Sequence, residues 1–96
     1  MITSKQRAYL RGIGNTVETI LQIGKGGIGE AVTAQADEAL TAREIVKMRV
    51  LETAPVTPRE AANELAEKLG AEIVQVIGTR FILYRANLKN PVIVLK

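Results

Sequence analysis

Ile20-Leu21-Gln22-Ile23-Gly24-Lys25-Gly26-Gly27-Ile28-Gly29-Glu30 reads as an apolar strand that runs into a glycine-rich turn and out into a helix. A turn of this composition suits a phosphate. Glycine lets backbone N–H groups approach an anion with no Cβ in the way, and the first amides of the following helix add donors in a positive field. Lys25 places a mobile charge at the tip. The string Gly24-x-Gly26-x-x-Gly29 also matches a dinucleotide fingerprint, with Glu44 twenty residues after Gly24. In that fold the acidic residue stands at the C-terminal end of the second strand to reach the ribose, whereas Glu44 opens its strand. A Walker loop fails as well, because no Gly-Lys-Ser or Gly-Lys-Thr occurs.

What remains is the overlapping frame Gly24-Lys25-Gly26-Gly27, a GxxG loop of the kind with which KH-type domains clamp an RNA backbone. Alone, the frame is equally a glycine turn needed only to pass from strand to helix.

Working outward, Thr3 or Ser4 caps a first short helix expected to end near Leu10 or Gly12, with Tyr9, Leu10 and Ile13 as its buried candidates. Arg7 and Arg11, four apart, share one side of it. Val17–Ile23 is the first strand, and the second helix is expected from about Gly29 to Ala42, with Ile28, Val32, Ala36, Ala39 and Leu40 at helical spacing. Glu44–Leu51 forms a second strand in which Val46, Met48 and Val50 alternate with Lys47 and Arg49, one face core and the other wet. Thr57-Pro58-Arg59-Glu60 is a capping box with proline at the first helical position, and Gly70 stops the helix it starts. Glu72–Ile77 and Arg80–Arg85 form a hairpin about Gly78-Thr79, and Val92–Leu95 is expected as a short terminal strand. The order implies an α/β fold: a two-layer sandwich with a mixed four-stranded sheet and about three helices, residues 1–96 forming one domain.

Composition narrows the function. Only 3% of the 96 residues are aromatic against 47% hydrophobic, so the core is aliphatic, and Tyr9 and Tyr84 are better used as half-buried core than as stacking platforms. Absence of Cys and His removes disulfides, thiol nucleophiles, the commonest zinc sites and the commonest general base. We expect no catalytic residues, no metal, no cofactor and no small-molecule substrate. No apolar run reaches a membrane span and none follows the N-terminus as a signal segment, so a cytoplasmic protein is expected.

The net charge of +3 is unevenly spread. Residues 1–30 carry +2, residues 79–96 carry +4 with no acid, and residues 31–78 carry −3. A basic face opposite an acidic one is the expected result, with a polyanion as partner; charged ends that serve solubility alone are the other reading. By themselves Arg7 and Arg11 also fit solvated helix residues, and Arg80 and Arg85 fit guards of a hairpin end.

Three motifs in order resemble the CRM (chloroplast RNA splicing and ribosome maturation) domain, in its bacterial single-domain YhbY-like form. They are Ile23-Gly24-Lys25-Gly26-Gly27-Ile28, then Glu44-Ile45-Val46-Lys47-Met48-Arg49-Val50, then Val76-Ile77-Gly78-Thr79-Arg80-Phe81-Ile82-Leu83-Tyr84-Arg85. A first helix beginning Ser4-Lys5-Gln6-Arg7 and continuing Tyr9-Leu10-Arg11 adds to them. The resemblance implies a fold similar to the C-terminal domain of bacterial translation initiation factor 3, RNA as ligand, and association with precursors of the large ribosomal subunit. It implies that Gly24, Lys25, Gly26 and Gly27 contact RNA. The chain departs from the family in Asn15-Thr16-Val17, where a proline is usual, and in Gly29, where a Thr or Ser hydroxyl often follows the loop.

The expected mechanism puts a phosphate on the amides of Gly26 and Gly27 and on the start of the second helix. Lys25 adds charge, while Lys5, Arg7, Arg11 and Arg80 follow the RNA backbone alongside. Such contacts position RNA without reading its sequence. A monomer bound to ribosomal RNA is expected, the alternative being a protein-interaction module that docks a partner through its acidic face or a sheet edge.

Overall fold

The computed structural model describes residues 2–89 and 91–95. Its elements run α1 (Ser4–Gly14), β1 (Thr19–Ile23), α2 (Glu30–Arg43), β2 (Ile45–Val50), α3 (Pro58–Leu69), β3 (Glu72–Ile77) and β4 (Arg80–Tyr84). The sheet order is β1-β2-β4-β3, with β1 parallel to β2 and both other pairings antiparallel. A parallel pair needs a crossover, and α2 supplies it. The tight turn at Gly78-Thr79 lets β3 and β4 pair directly. The mixed four-stranded sheet with three helices is the expected architecture.

Strand periodicity divides the core in two. Register aligns Leu21 and Ile23 with Met48 and Val50, and Val46 and Met48 with Leu83 and Phe81. These side chains share one face and pack with Ala36 and Leu40 of α2 and Ala61, Ala62 and Leu65 of α3. On the opposite face Ile45, Ile82 and Tyr84 pack with Leu10 of α1. Helix α1 therefore adds a partial third layer to the two formed by the sheet and α2/α3.

Both capping boxes form. Thr3 Oγ1 accepts from the Gln6 amide at 3.0 Å, and Thr57 Oγ1 accepts from the Glu60 amide at 3.1 Å. Helix α1 continues two residues past Gly12 because its last turn presses on the sheet: a Cβ on Gly14 would stand 2.6 Å from Ile82 Cδ1. Of the three buried candidates of α1, Leu10 is fully buried, Ile13 packs partly buried against the second core, and Tyr9 is 37% exposed. Strand β1 starts at Thr19 rather than Val17, since Val17 packs into the second core.

The expected terminal strand at Val92–Leu95 does not form. Its amides serve another end. Glu44, which closes α2 at φ 66, is 1% exposed, and its carboxylate accepts from the backbone N–H groups of Asn87 at 2.6 Å, Val92 at 2.5 Å and Ile93 at 2.6 Å. Ile93 and Leu95 are thereby laid against the second core. Burial pushes the Glu44 carboxyl up, but the three amides outweigh it and hold the group below its ordinary value. Arg85 ties the same end from the other side, donating to Asp37 Oδ1 at 2.7 Å, the Leu69 carbonyl at 3.0 Å and Thr41 Oγ1 at 2.9 Å. It is a clamp between β4, α2 and α3 rather than a guard of the hairpin.

Glu44→Gln keeps the shape but offers one oxygen to three amides and removes the charge. It should cost about 2–4 kcal/mol and lower Tm by about 10 °C or more. Because the folded pKa lies below the unfolded one, the wild-type contribution is complete above about pH 4.3 and is lost as pH falls through the lowered value. Thermal melts across the acid range should show that loss in the wild type and a flatter limb in Glu44→Gln; parallel curves would refute the assignment.

Candidate nucleic-acid interface

The glycine loop leaves β1 beside the end of β2, where the Leu51 N–H donates to the Ile23 carbonyl at 2.9 Å. Its turn is closed by the Gly27 N–H on the Gly24 carbonyl, also at 2.9 Å. Gly27 stands at φ +66, and a Cβ there would lie 3.0 Å from Pro55 Cγ, so the loop rests on the segment that joins β2 to α3. Lys25 and Gly26 are exposed at the tip.

This geometry corrects the expected phosphate cradle. The Gly27 amide is spent on closing the turn; the Gly26 amide has no acceptor among the described residues. Helix α2 begins from Gly29 with no side-chain cap bond, as the absent hydroxyl foretells, and the Thr33 hydroxyl donates to the Gly29 carbonyl at 2.9 Å. Glu30 occupies the first turn and offsets part of the positive field there. The loop therefore offers the Gly26 amide and the Lys25 ammonium more than it offers a helix terminus.

The sheet face on the α1 side adds what sequence reasoning treated only as a wet face. Register sets Arg49 directly across from Arg80 on β4 and beside Gln22 on β1. Lys47 lies one step back, opposite Thr19 and Ile82. Arg80 stretches across β2, its Nε donating to Thr19 Oγ1 at 3.3 Å. The row reaches the strand end from which the glycine loop departs. Like charges directly opposite on paired strands are destabilising. Among the described residues the ion pairs are Lys68–Glu64 and Arg85–Asp37, so none neutralises Lys25, Lys47, Arg49 or Arg80. The signal for Lys47 and Arg49 was their alternation with Val46, Met48 and Val50; only register shows that they meet Arg80.

The basic residues of α1 fall elsewhere. Arg7 is half-buried, with Nε donating to the Ile73 carbonyl at 3.1 Å, so it fastens α1 to β3. Arg11 is exposed one turn on along the same flank. Lys5 is exposed in the first turn, near Ile2, whose N–H donates to Glu72 Oε1 at 3.1 Å. Glu72 pairs with Tyr84, at the opposite end of the hairpin from Arg80. Thus Gly24–Gly27 and Arg80 share one end of the molecule, and Lys5 sits at the other. Among the described residues no acidic cluster is built to hold a metal, and no helix is long and apolar enough to cross a membrane.

A small mixed α/β sheet with a GxxG loop at its strand ends and an unneutralised basic row defines the class of this domain. Within that class the chain belongs to the CRS1 / YhbY (CRM) domain family, whose profile matches residues 2–85. Similar chains include the Probable RNA-binding protein YqeI of Bacillus subtilis, 35% identical over 90 residues and covering 94% of each chain. An RNA-binding protein of Haemophilus influenzae is 29% identical over 84 residues, covering 88% of this chain and 85% of its own. The solution structure of the hypothetical protein SAV1595 of Staphylococcus aureus, described as a candidate RNA binding protein, superposes with a TM-score of 0.83 at 41% identity over 100% of both chains.

Two variants separate architecture from surface. Gly27→Ala forces a side chain into a left-handed backbone against Pro55 and should cost about 1–3 kcal/mol in denaturant unfolding. Arg49→Gln should instead leave stability unchanged or raise it by up to about 1 kcal/mol, because it relieves the charge opposite Arg80. A large loss in Arg49→Gln would mean that the row is part of the scaffold.

Proposed function

We propose that this chain is a non-enzymatic RNA-binding protein that associates, as a cytoplasmic monomer, with ribosomal RNA in precursors of the large ribosomal subunit and assists their assembly. The observation that carries RNA binding is the directly opposed Arg49–Arg80 pair, left without counter-charge beside the Gly24–Gly27 loop. A fold that pairs like charges in register on neighbouring strands is stabilised by an anionic ligand, and a phosphate backbone supplies a row of anions. The RNA-binding descriptions of its relatives support the same ligand. The assignment to large-subunit precursors rests on the sequence resemblance to ribosome-maturation domains.

In this reading the Gly26 amide and Lys25 engage one phosphate while Arg80, Arg49 and Lys47 engage others across the sheet. Arg11 extends the basic surface along α1. Arg7 divides its guanidinium between Ile73 and solvent, and Lys5 contributes at long range. The contacts fix position on the backbone; base identity is read little.

Affinity for ribosomal RNA fragments should fall steeply with salt through counterion release. Lys25→Ala should weaken binding several-fold and reduce the salt slope by about 1, with Tm unchanged because the side chain is exposed. Ultraviolet crosslinking in cells should enrich discrete sites of large-subunit ribosomal RNA. A flat salt response, or recovery of a protein partner insensitive to ribonuclease, would favour docking through the acidic face or a sheet edge instead.

A further inference from the structure

The class of RNA can be narrowed, on the condition that the RNA-binding reading above holds. Sequence-specific recognition of unpaired RNA commonly splays bases onto exposed aromatic rings, beyond any clamp that a GxxG loop puts on the backbone. The chain has three aromatic residues. Phe81 is fully buried and belongs to the core beneath α2 and α3; Tyr84 is 4% exposed and belongs to the core beneath α1. Tyr9 alone shows a substantial part of its ring, and it rides on α1.

The sheet face presents Gln22, Lys47, Arg49 and Arg80, with the aliphatic Ile77, 63% exposed, at the hairpin end and Ile20 beside Lys47. Arginine planes can also stack on bases, but here two of them face each other as cross-strand neighbours, and mutual repulsion favours separate anions over a shared base. These groups are spaced by the strands, about 4.8 Å apart. The loop beyond them is closed by its turn bond and rests on Pro55. Cations set at strand spacing suit the regularly spaced phosphates of a duplex.

From these features we propose that the preferred ligand is double-stranded RNA, bound across its backbone and shallow minor groove rather than through unstacked bases. A-form RNA displays phosphates and 2′-hydroxyls on that surface. Lys25, Lys47, Arg49 and Arg80 engage the phosphates. The Gln22 amide, in line with Arg49 and Arg80 and itself exposed, donates to and accepts from a 2′-hydroxyl, which favours RNA over DNA.

The test is fluorescence anisotropy with three labelled probes of one sequence: an RNA duplex of about 16 base pairs, its unpaired strand, and the matched DNA duplex. The expected result is duplex RNA bound about tenfold or more tightly than either competitor. Arg49→Gln combined with Arg80→Gln should reduce duplex affinity and lower the salt slope by about 2, with an unchanged or raised Tm confirming that the variant is folded. Equal or tighter binding of the unpaired strand overturns the duplex assignment and leaves RNA binding standing, as does equal binding of duplex DNA. Failure to bind any probe, repeated with ribosomal RNA fragments, overturns the RNA-binding reading and this inference together.

Discussion

One buried carboxylate joins pieces of this chain that are far apart in sequence. Glu44 ends α2, opens β2 and collects three backbone amides from the segment after β4. A positive φ at a non-glycine residue costs on the order of 1–2 kcal/mol, and glycine is the usual solution where a helix closes in this way. Glutamate is used because its side chain has work that glycine cannot do. Charge-assisted bonds to amides that would otherwise be left unpaired offset both the backbone strain and the burial of a negative charge. The Arg85 clamp and the second core, with Leu10, Ile45, Ile82 and Tyr84, are built around that junction.

The opposite end of the sheet follows a different rule. There the fold tolerates adjacent positive charges, an uncapped helix start at Gly29 and a left-handed glycine lodged against Pro55. None of these helps the free protein. Departures from local consistency stand at both ends, the positive φ and buried charge of Glu44 at one and the paired arginines and uncapped helix start at the other. The molecule thus keeps its buried, fully bonded carboxylate and its exposed cations without ion-pair partners at opposite ends of the same strands.

Much of this was legible in the sequence, and the limits have physical causes. Thr57-Pro58-Arg59-Glu60 announced α3 because capping chemistry is local, and Gly78-Thr79 announced the hairpin for the same reason. The glycine frame gave the loop, though not the turn bond that consumes the Gly27 amide. Val92–Leu95 looked like a strand because its residues are apolar and mostly β-branched, but pairing depends on which edge is offered, and the carboxylate of Glu44 offered more. Glu44 itself was weighed only as a ribose ligand and set aside. Burial of a charge is a tertiary fact with no local signature. Arg49 and Arg80 lie 31 positions apart, and nothing in either neighbourhood says that they oppose each other until register is known.

The attachment of Asn87, Val92 and Ile93 to Glu44 has a consequence for what counts as the unit of this fold. The family profile ends at residue 85, yet the group that seals the base of β2 is satisfied entirely from beyond that boundary. A fragment cut where the family ends would keep every element of the sheet and leave a carboxylate facing a core with nothing to hold. The segment that the family profile matches is therefore shorter than the segment that satisfies this carboxylate. Shuffling this domain between proteins would require its C-terminal strap to travel with it, or another source of amides to take its place.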